Sequence, residues 1–370
     1  MGLGDGTLSA TSMLWLAFAL GFLFGLVAQC CRFCTMGAIA DVFALGDWRR
    51  MGMWWLAIAV AVLGSAALHL GGQIDLGKSI YRTPDVLWLS HLVGGFCFGF
   101  GMVLASGCAA RTLVRIGSGS VKAVVVFLVL GLVAYMTLYG VLGVFRVRVL
   151  ERVAIHLTGD QGLPTLLSGL GLAPAAAQLV PALTVGGSLL GLVFLQRNPM
   201  DIGQIVGGVV VGLIAVGGWY VSGHLGFLAE DPETLQEAFI ATQSGKMESL
   251  SFVAPQAHLL DLLMLWSDNS RHLSFGVASV LGVVVGSLSY ALACRCFRWE
   301  GFCSLEDTVN HLLGAALMGF GGVVAMGCTI GQGIVGLSTL ALGSLFTLVA
   351  IVAGALSALQ YQYRRAGQYD

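Results

Sequence analysis

Cysteine is the residue type in this 370-residue chain that offers the most chemistry. A cysteine can form a disulfide, bind a metal, act as a nucleophile or present a soft, polarizable sulfur to a solute. Two of the nine cysteines directly follow a glycine, in the pairs Gly107-Cys108 and Gly327-Cys328. The other seven are Cys30, Cys31, Cys34, Cys97, Cys294, Cys296 and Cys303.

The spacing of these cysteines argues against two of the possible roles. Most of them fall in apolar segments or on the side we predict to be intracellular, where thiols stay reduced, so a disulfide framework is not expected. The clusters 30–34 and 294–296 lack the second well-spaced pair or the histidines typical of zinc sites, so we expect no metal. The remaining interpretation is a thiol lining for a sulfur-containing solute. We expect such thiols to be protonated, since a thiolate would repel an anion.

The two Gly-Cys pairs belong to an internal repeat with an offset of 220 residues. Residues 91–110 align without a gap to residues 311–330, and ten of these twenty positions are identical. Each copy begins with a histidine, His91 or His311. We expect these histidines to cap a helix at the membrane interface, with a proton-coupling role as the alternative. The repeat copies are predicted near 90–143 and 310–358.

Both copies are predicted to break at the Gly-Cys pair, in Ser106-Gly107-Cys108 and Met326-Gly327-Cys328. Small or glycine-rich sequence follows each pair, and glycine weakens a helix interior. A helix that restarts there would direct its N–H groups and positive dipole end at whatever lies beside the thiol. Two such ends would suit an anion. The alternative is that each Gly-Cys pair is only a close-packing point between helices.

The elements that carry these residues are predicted to be transmembrane helices. The chain is 57% hydrophobic and only 10% charged, whereas soluble proteins carry about 25% charged residues. The net charge of −1 gives no indication of nucleic-acid binding. We expect the whole chain, 1–370, to form one all-α polytopic transmembrane domain of about nine helices. The spans are predicted near 13–30, 53–71, 90–106, 121–143, 175–196, 203–222, 272–295, 306–327 and 334–358.

The Lys and Arg bias of short loops predicts the orientation. An extracytoplasmic N-terminus and a cytoplasmic C-terminus fit best, although the basic stretches 78–82 and 146–152 oppose this assignment. The acidic segment 230–237 would lie outside, and residues 248–255 are expected to form an ordered outer loop. The predicted inner basic residues are Arg32, Arg49, Arg50, Arg111, Arg115, Lys122, Arg197, Arg295, Arg298, Arg364 and Arg365.

This orientation makes the repeat informative. The span that ends at Cys108 would run from outside to inside, and the span that ends at Cys328 would run in the opposite direction. The same motif would then enter the membrane from both faces, as in inverted-topology transporters whose substrate site lies near the midplane. We therefore predict an inverted pseudo-symmetric repeat with short re-entrant or broken helices.

The chain resembles the YeeE/YedE family of sulfur-transport membrane proteins over roughly 15–358. The resemblance rests on QCCRFC at 29–34, on Gly107-Cys108 followed by RTLVRIGSG at 111–119, and on GCTIGQGIVGLST at 327–339. The segment 218–223 (GWYVSG) resembles the family more weakly.

This resemblance implies an hourglass-like bundle in which cysteines hold thiosulfate transiently during uptake. It implies substrate contacts at Cys108, Cys328 and, as the next candidate, Cys34, with Cys303 as an alternative third thiol. It also implies that the protein works beside a small cytoplasmic sulfur carrier of the TusA type. The two copies differ at the third position after the cysteine, where the first has Arg111 and the second has Gly331.

The function predicted is uptake of thiosulfate or a related sulfur anion across a bacterial inner membrane. The predicted site comprises Cys34, Cys108, Cys328, Gly107, Gly327 and Arg111. Arg111 is either an anion-binding side chain or a topology determinant. We expect no cofactor and no catalytic residue. The runner-up is a membrane sulfur-transfer or redox protein that forms a persulfide at the cluster 30–34.

Overall fold

A computed structural model describes residues 9–196, 198–230, 235–268 and 271–366. Three charged residues used in the orientation argument, Arg197, Asp231 and Glu233, lie outside the described residues. Within the described part, the regular secondary structure is almost entirely helical. The strands form two small antiparallel pairs, β1 (Asp85–Val86) with β2 (Ile155–His156), and β3 (Phe227–Leu228) with β4 (Ala238–Phe239).

The first six helices form one consecutive group. Serine side chains cap the start of two of them. Ser9 Oγ accepts a hydrogen bond from Ser12 N at 3.3 Å, and Ser120 Oγ accepts one from Ala123 N at 3.4 Å. Such caps satisfy donors that the first turn leaves unpaired. The helices are α1 (Ala10–Cys30), α2 (Thr35–Leu45), α3 (Arg49–Leu70), α4 (Trp88–Leu104), α5 (Ala109–Gly117) and α6 (Val121–Leu138).

The remaining helices comprise a connecting group and a second large group. The connecting helices are α7 (Val141–Phe145), α8 (Leu163–Gly169) and α9 (Pro174–Phe194). One π-helical turn follows α7, a second follows α10, and a third is formed by Gly331–Gly336. The second group contains α10 (Ile202–Tyr220), α11 (Ala254–Met264), α12 (Phe275–Ala293), α13 (Leu305–Val324) and α14 (Leu342–Ala366).

Among the described residues, eight helical segments are long and apolar enough to cross a membrane. They make the chain an all-α polytopic membrane protein. The predicted span 306–327 coincides with α13, whose first turn carries Glu306 and Asp307 and is therefore less apolar. The eight segments are Ala10–Leu45, Arg49–Leu70, Trp88–Gly117, Val121–Leu138, Pro174–Phe194, Ile202–Leu225, Phe275–Ala293 and Leu342–Arg365.

The helices α4 and α13 cross antiparallel at the centre of the molecule, with backbone against backbone. A Cβ atom added to Gly94 would lie 2.5 Å from Ala325 N, and one added to Gly314 would lie 2.6 Å from Ala105 N. Gly314 and Ala325 are the residues at offset 220 from Gly94 and Ala105. The two close approaches are therefore the same contact made from each side, and only glycine permits it.

The other large contacts also occur in pairs. Helix α4 packs on α14 while α13 packs on α6, α1 packs on α12 while α10 packs on α3, and α6 packs on α11 while α14 packs on α2. The packing contacts thus occur in pairs that exchange the first helix group with the second. The short helices α2, α5 and α11 and the segment 329–336 are enclosed by this frame.

The predicted breaks are present in both α4 and α13, but a glycine does not make the turn. Ser106 and Met326 adopt left-handed backbone conformations, with φ of 55° and 59°. The following N–H groups close each end, from Gly107 to Met102 O and from Gly327 to Gly322 O, both at 2.8 Å. A left-handed residue with these bonds satisfies the last carbonyls of a helix. The chain then restarts at Cys108 and Cys328.

Candidate functional site

Three of the predicted site cysteines lie where a short helical segment begins. Cys34 precedes α2, and its Sγ accepts a hydrogen bond from Gly37 N at 3.4 Å. Cys108 precedes α5, and Cys328 precedes the segment 329–336, where Gly331 N donates to its Sγ at 3.3 Å. The free N–H groups of these first turns are directed at the thiols. An anion near the thiols would therefore meet partial positive charge.

The fold brings Cys34, Cys108 and Cys328 together in succession, and we call them the line of thiols. Cys34 and Cys108 lie near enough for charges on them to interact, and the same holds for Cys108 and Cys328. Cys108 is 2% exposed and Cys328 is 0% exposed, so the line passes through the interior. Cys34 and Cys108 belong to the first helix group, and Cys328 belongs to the second.

The alternative third thiol, Cys303, lies elsewhere. Its side chain is exposed, and its nearest polar partner is Lys122 Nζ at 3.9 Å. Cys303 thus has no contact with the line of thiols, whereas Cys34 does. Four other cysteines, Cys30, Cys31, Cys294 and Cys296, lie at the ends of α1 and α12 at the same side of the molecule as Arg32 and Arg295.

Arg111 lies beside the line of thiols on the side of Cys34. Its guanidinium interacts electrostatically with Cys34 and Cys108, and Nη1 donates to Gln29 Oε1 at 3.4 Å. The preceding Gly107 leaves room for it, because a Cβ there would lie 3.2 Å from Arg111 Cγ. A half-buried guanidinium with several donors can bind an oxyanion at this point.

Gly327 has the same spatial role in the second copy. A Cβ at Gly327 would lie 3.0 Å from the side chain of Gln332. Gln332 Nε2 donates to Ala325 O at 2.6 Å and thereby ties the segment 329–336 to the end of α13. The two glycines therefore permit the neighbouring side chains to pack against the restart of the chain.

Two hydroxyl groups that sequence reasoning missed also face the thiols. The Thr329 hydroxyl faces Cys108, and the Tyr81 phenol interacts with Cys328. Both hydroxyls are buried and have no hydrogen-bond partner of good geometry among the described residues. Burial holds the pKa of Tyr81 well above its ordinary value, so the phenol is a neutral donor. Thr329 follows Cys328 directly in the sequence, but Tyr81 lies in a loop with no pattern to indicate it.

The two repeat histidines are buried away from the thiols. His91 Nδ1 lies 2.8 Å from Thr347 Oγ1, and His311 Nδ1 lies 2.7 Å from Asp307 O. His311 also pairs with the Asp307 carboxylate at 3.0 Å. The His91 contact joins α4 to α14, the His311 contacts lie within α13, and neither histidine contacts a cysteine of the line.

A cavity of about 400 Å³ opens on the side of the molecule opposite Arg111. The segment 243–251 lines one wall, and Met326 and Gly327, next to Cys328, line the inner end. We call this cavity the vestibule. The predicted ordered loop at 248–255 supplies part of its wall. The line of thiols therefore extends from Arg111 at one side to the vestibule at the other.

Comparison with known proteins matches this chain to one family. The family model described as sulphur transport matches residues 31–357. The thiosulfate transporter TsuA of Escherichia coli K12 is 28% identical over 96% of both chains, and that of Spirochaeta thermophila is 28% identical over 95% of this chain and 100% of its own. The probable transporter YedE of Escherichia coli is 29% identical over 29% of this chain and 25% of its own. The chain is thus a membrane transporter that belongs to the YeeE/YedE sulphur-transport family.

Proposed function

We propose that this protein takes up thiosulfate through the line formed by Cys328, Cys108 and Cys34. The observation that carries the proposal is the meeting of these three thiols, from opposite ends of the chain, in the interior of a sulphur-transport protein. The two relatives that match nearly the whole chain are named thiosulfate transporters.

The chemistry of thiosulfate suits this line. Its terminal sulfur is soft and polarizable, and its sulfonate oxygens accept hydrogen bonds. A neutral thiol packs against the former and donates weakly to the latter. Thr329, Tyr81 and the backbone N–H groups around the thiols supply further donors. No contact needs to be strong, because passage requires binding that also permits release.

The test is growth and isotope uptake in a bacterium that lacks its own sulfate and thiosulfate importers. We expect the parent chain to support growth on thiosulfate as the sole sulfur source. Cys108→Ala and Cys328→Ala should each reduce [35S]thiosulfate uptake at least about a hundredfold, with unchanged membrane expression. Cys97→Ala is the matched control, since Cys97 lies on α4 outside the line. Normal uptake by both variants would refute the cysteine pathway.

The runner-up function is sulfur transfer at a cysteine. A thiolate would attack the terminal sulfur of thiosulfate and release sulfite, which leaves a persulfide on the protein and needs no external oxidant. The observation in its favour is the adjacent pair Cys30 and Cys31, which interact with each other near Tyr290 and Cys294. Intact-mass measurement after exposure to thiosulfate separates the two functions. An increase of one sulfur atom would favour transfer, and no increase is expected for transport.

We infer that the two helix groups are inverted repeats. The order α1 to α6 corresponds to α10 to α14 together with the segment 329–336, and the reciprocal contacts of α4 and α13 support this correspondence. The inferred repeat is longer than the copies near 90–143 and 310–358 that the sequence predicts. It includes α2 and α11, whose first turns both face the interior.

We further propose an inner-membrane location with the N-terminus outside and the C-terminus in the cytoplasm. Arg49, Arg50, Arg111 and Arg115 would then lie at the cytoplasmic end, and the vestibule would face outward. A small sulfur carrier of the TusA type would receive the anion at that cytoplasmic end. Fusion of a periplasm-active and a cytoplasm-active reporter to the C-terminus tests this orientation, with activity expected only from the second.

A further inference from the structure

The vestibule contains an acidic residue on the proposed path of an anion. Glu248 lines the vestibule together with Ser251 and Gly327. Its backbone is held in place by the Ser222 hydroxyl, which donates to Glu248 O. The Glu248 side chain therefore projects from an anchored backbone in the wall of the cavity, near the Cys328 end of the line of thiols.

The Glu248 carboxylate lacks a compensating charge. The Ser244 hydroxyl is 3.5 Å from Oε2, and the Gln243 N–H is the other donor. No basic side chain among the described residues contributes to its ionisation, and burial raises its pKa to about 7. The carboxyl is thus neutral below this pH and ionised above it.

Tyr81 connects Glu248 to the line of thiols. The phenol is 3% exposed and interacts electrostatically with both Glu248 and Cys328. Its hydroxyl lies 3.2 Å from the position that a Cβ on Gly331 would occupy, and Ser251 Oγ lies 2.9 Å from the same position. Tyr81 and Ser251 therefore lie together beside the segment that follows Cys328, and Ser251 lines the vestibule with Glu248.

We propose that Glu248 is a selectivity residue that controls the passage of divalent oxyanions from the vestibule to Tyr81 and Cys328. This inference rests on the pathway proposed above. With Glu248 neutral, the carboxyl can donate a hydrogen bond to a sulfonate oxygen. With Glu248 ionised, its charge lies close to the dianion in a partly desolvated cavity, where like charges repel strongly.

The other charged groups around the vestibule have defined states. Arg146 pairs with Glu151 at 3.4 Å, and Lys246 is an exposed basic side chain in the same wall. Burial lowers the pKa of His258, so it is mainly neutral at neutral pH. Burial holds the pKa of Tyr81 well above its ordinary value, so this phenol stays neutral. Among the described groups around the vestibule whose pKa is shifted, Glu248 is accordingly the one expected to change charge between pH 6 and 8.

The first test measures charge selectivity without using transport. Ser251→Cys places a reporter thiol beside the proposed barrier. The protein, purified in lipid nanodiscs so that both faces are accessible, is treated with an anionic or a cationic methanethiosulfonate reagent. Labelling at position 251 is followed by peptide mass spectrometry. The ratio of the two rate constants removes the effect of pH on the thiol itself, because both reagents attack the same thiolate.

We expect the anionic-to-cationic rate ratio to fall about tenfold from pH 6 to pH 8, following the neutral fraction of a carboxyl with a pKa near 7. With Glu248→Gln, the ratio should stay high at both pH values. The control Glu230→Gln removes an exposed carboxylate outside the vestibule and should retain the parent's decrease. His258→Gln should also retain it. A decrease that persists in Glu248→Gln would overturn the proposal.

The second test is the pH dependence of thiosulfate uptake, which needs no reporter cysteine. Thiosulfate remains a dianion throughout this range, so the substrate does not titrate. Uptake by the parent should fall as pH rises through about 7, and uptake by Glu248→Gln should remain high. If the parent transports thiosulfate but Glu248→Gln shares its pH profile, the role of Glu248 is refuted and the transport function stands. If the parent does not transport thiosulfate while the labelling ratio depends on Glu248, the substrate assignment fails and the selectivity remains.

Discussion

At the scale of residues, the site combines soft thiols with hard hydrogen-bond donors. Cys108 and Cys328 provide sulfur, whereas Thr329 and Tyr81 provide hydroxyls that have no hydrogen-bond partner of good geometry in the described part of the chain. A buried hydroxyl without a partner is normally destabilising. Its presence beside two thiols is explained if the partner is a transient oxyanion. The cost in stability and the gain in function can be separated by substitution.

Replacement of Thr329 by Val tests this explanation. Valine has a similar shape but no hydroxyl, so it removes an unsatisfied buried group without leaving a cavity. We expect the thermal unfolding temperature to be unchanged or raised, and the rate of thiosulfate uptake to fall about tenfold. The measurements are a melting curve in detergent and initial uptake rates.

Thr137→Val is the control for this prediction. Thr137 is also buried, but its hydroxyl donates to Val133 O at 2.7 Å within α6 and lies outside the line of thiols. This variant should leave uptake unchanged. Equal loss of uptake in both variants would indicate a general packing effect rather than a role for the Thr329 hydroxyl.

At the scale of elements, the site depends on interrupted helices that meet at close range. Helices α4 and α13 end at left-handed residues, and their chains restart at the cysteines. The restart points can face each other only because glycine and alanine let the two helices approach backbone to backbone. The small residues at this crossing therefore position the thiols, although they do not contact them.

Substitution at the crossing should destabilise the protein in both copies alike. In Gly94→Ala the new methyl group would lie 2.5 Å from Ala325 N, and in Gly314→Ala it would lie 2.6 Å from Ala105 N. Because backbone atoms cannot move aside cheaply, we expect each variant to lose about 1–3 kcal/mol of stability. Thermal stability in detergent, read by size-exclusion chromatography, measures the effect.

Gly191→Ala provides the matched control within a long helix. A Cβ at Gly191, in α9, would meet no atom within 4 Å. Alanine also favours a helix over glycine by up to about 1 kcal/mol. This variant should therefore be as stable as the parent or slightly more stable. A similar loss in all three variants would show that the close crossing of α4 and α13 is not the cause.

At the scale of the whole molecule, the two helix groups are joined by charge as well as by packing. Lys122 Nζ, at the start of α6, lies 2.9 Å from Asp307 Oδ2 at the start of α13 and 3.7 Å from Glu300 Oε1. Arg115 Nη2 lies 3.1 Å from Glu300 Oε2. Lys122 is 7% exposed, so its charge depends on these partners. The cluster ties the end that carries Cys34 and Arg111 to the second group.

A double-mutant cycle should reveal this coupling. We expect Lys122→Met to lower stability by about 1.5–3 kcal/mol, because a charged hydrogen bond is lost and Asp307 keeps only His311 and the Cys303 N–H as partners. The double variant Lys122→Met/Asp307→Asn should lose less than the sum of the two single losses. Lys78→Met is the control, since its pair with Glu237 is largely exposed and should contribute little. Strict additivity would show that the two side chains act independently.

The sequence alone determined the class of protein and the residues with unusual spacing. Continuous apolar segments predict transmembrane helices because only such segments are stable in lipid, and the repeat at offset 220 was visible without any contact information. The family membership followed from the Gly-Cys motifs and was confirmed. The break at each Gly-Cys pair could also be predicted, although the left-handed residues proved to be Ser106 and Met326.

Only the tertiary structure decided which residues share one space. It placed Cys34 beside Cys108 and left Cys303 exposed, and it brought Tyr81 and Glu248 towards Cys328 from loops with no indicative pattern. The physical reason is that these contacts join residues far apart in sequence. They are set by the crossing of α4 and α13 and by the direction of each helix, and neither property is encoded in the local periodicity from which a sequence is interpreted.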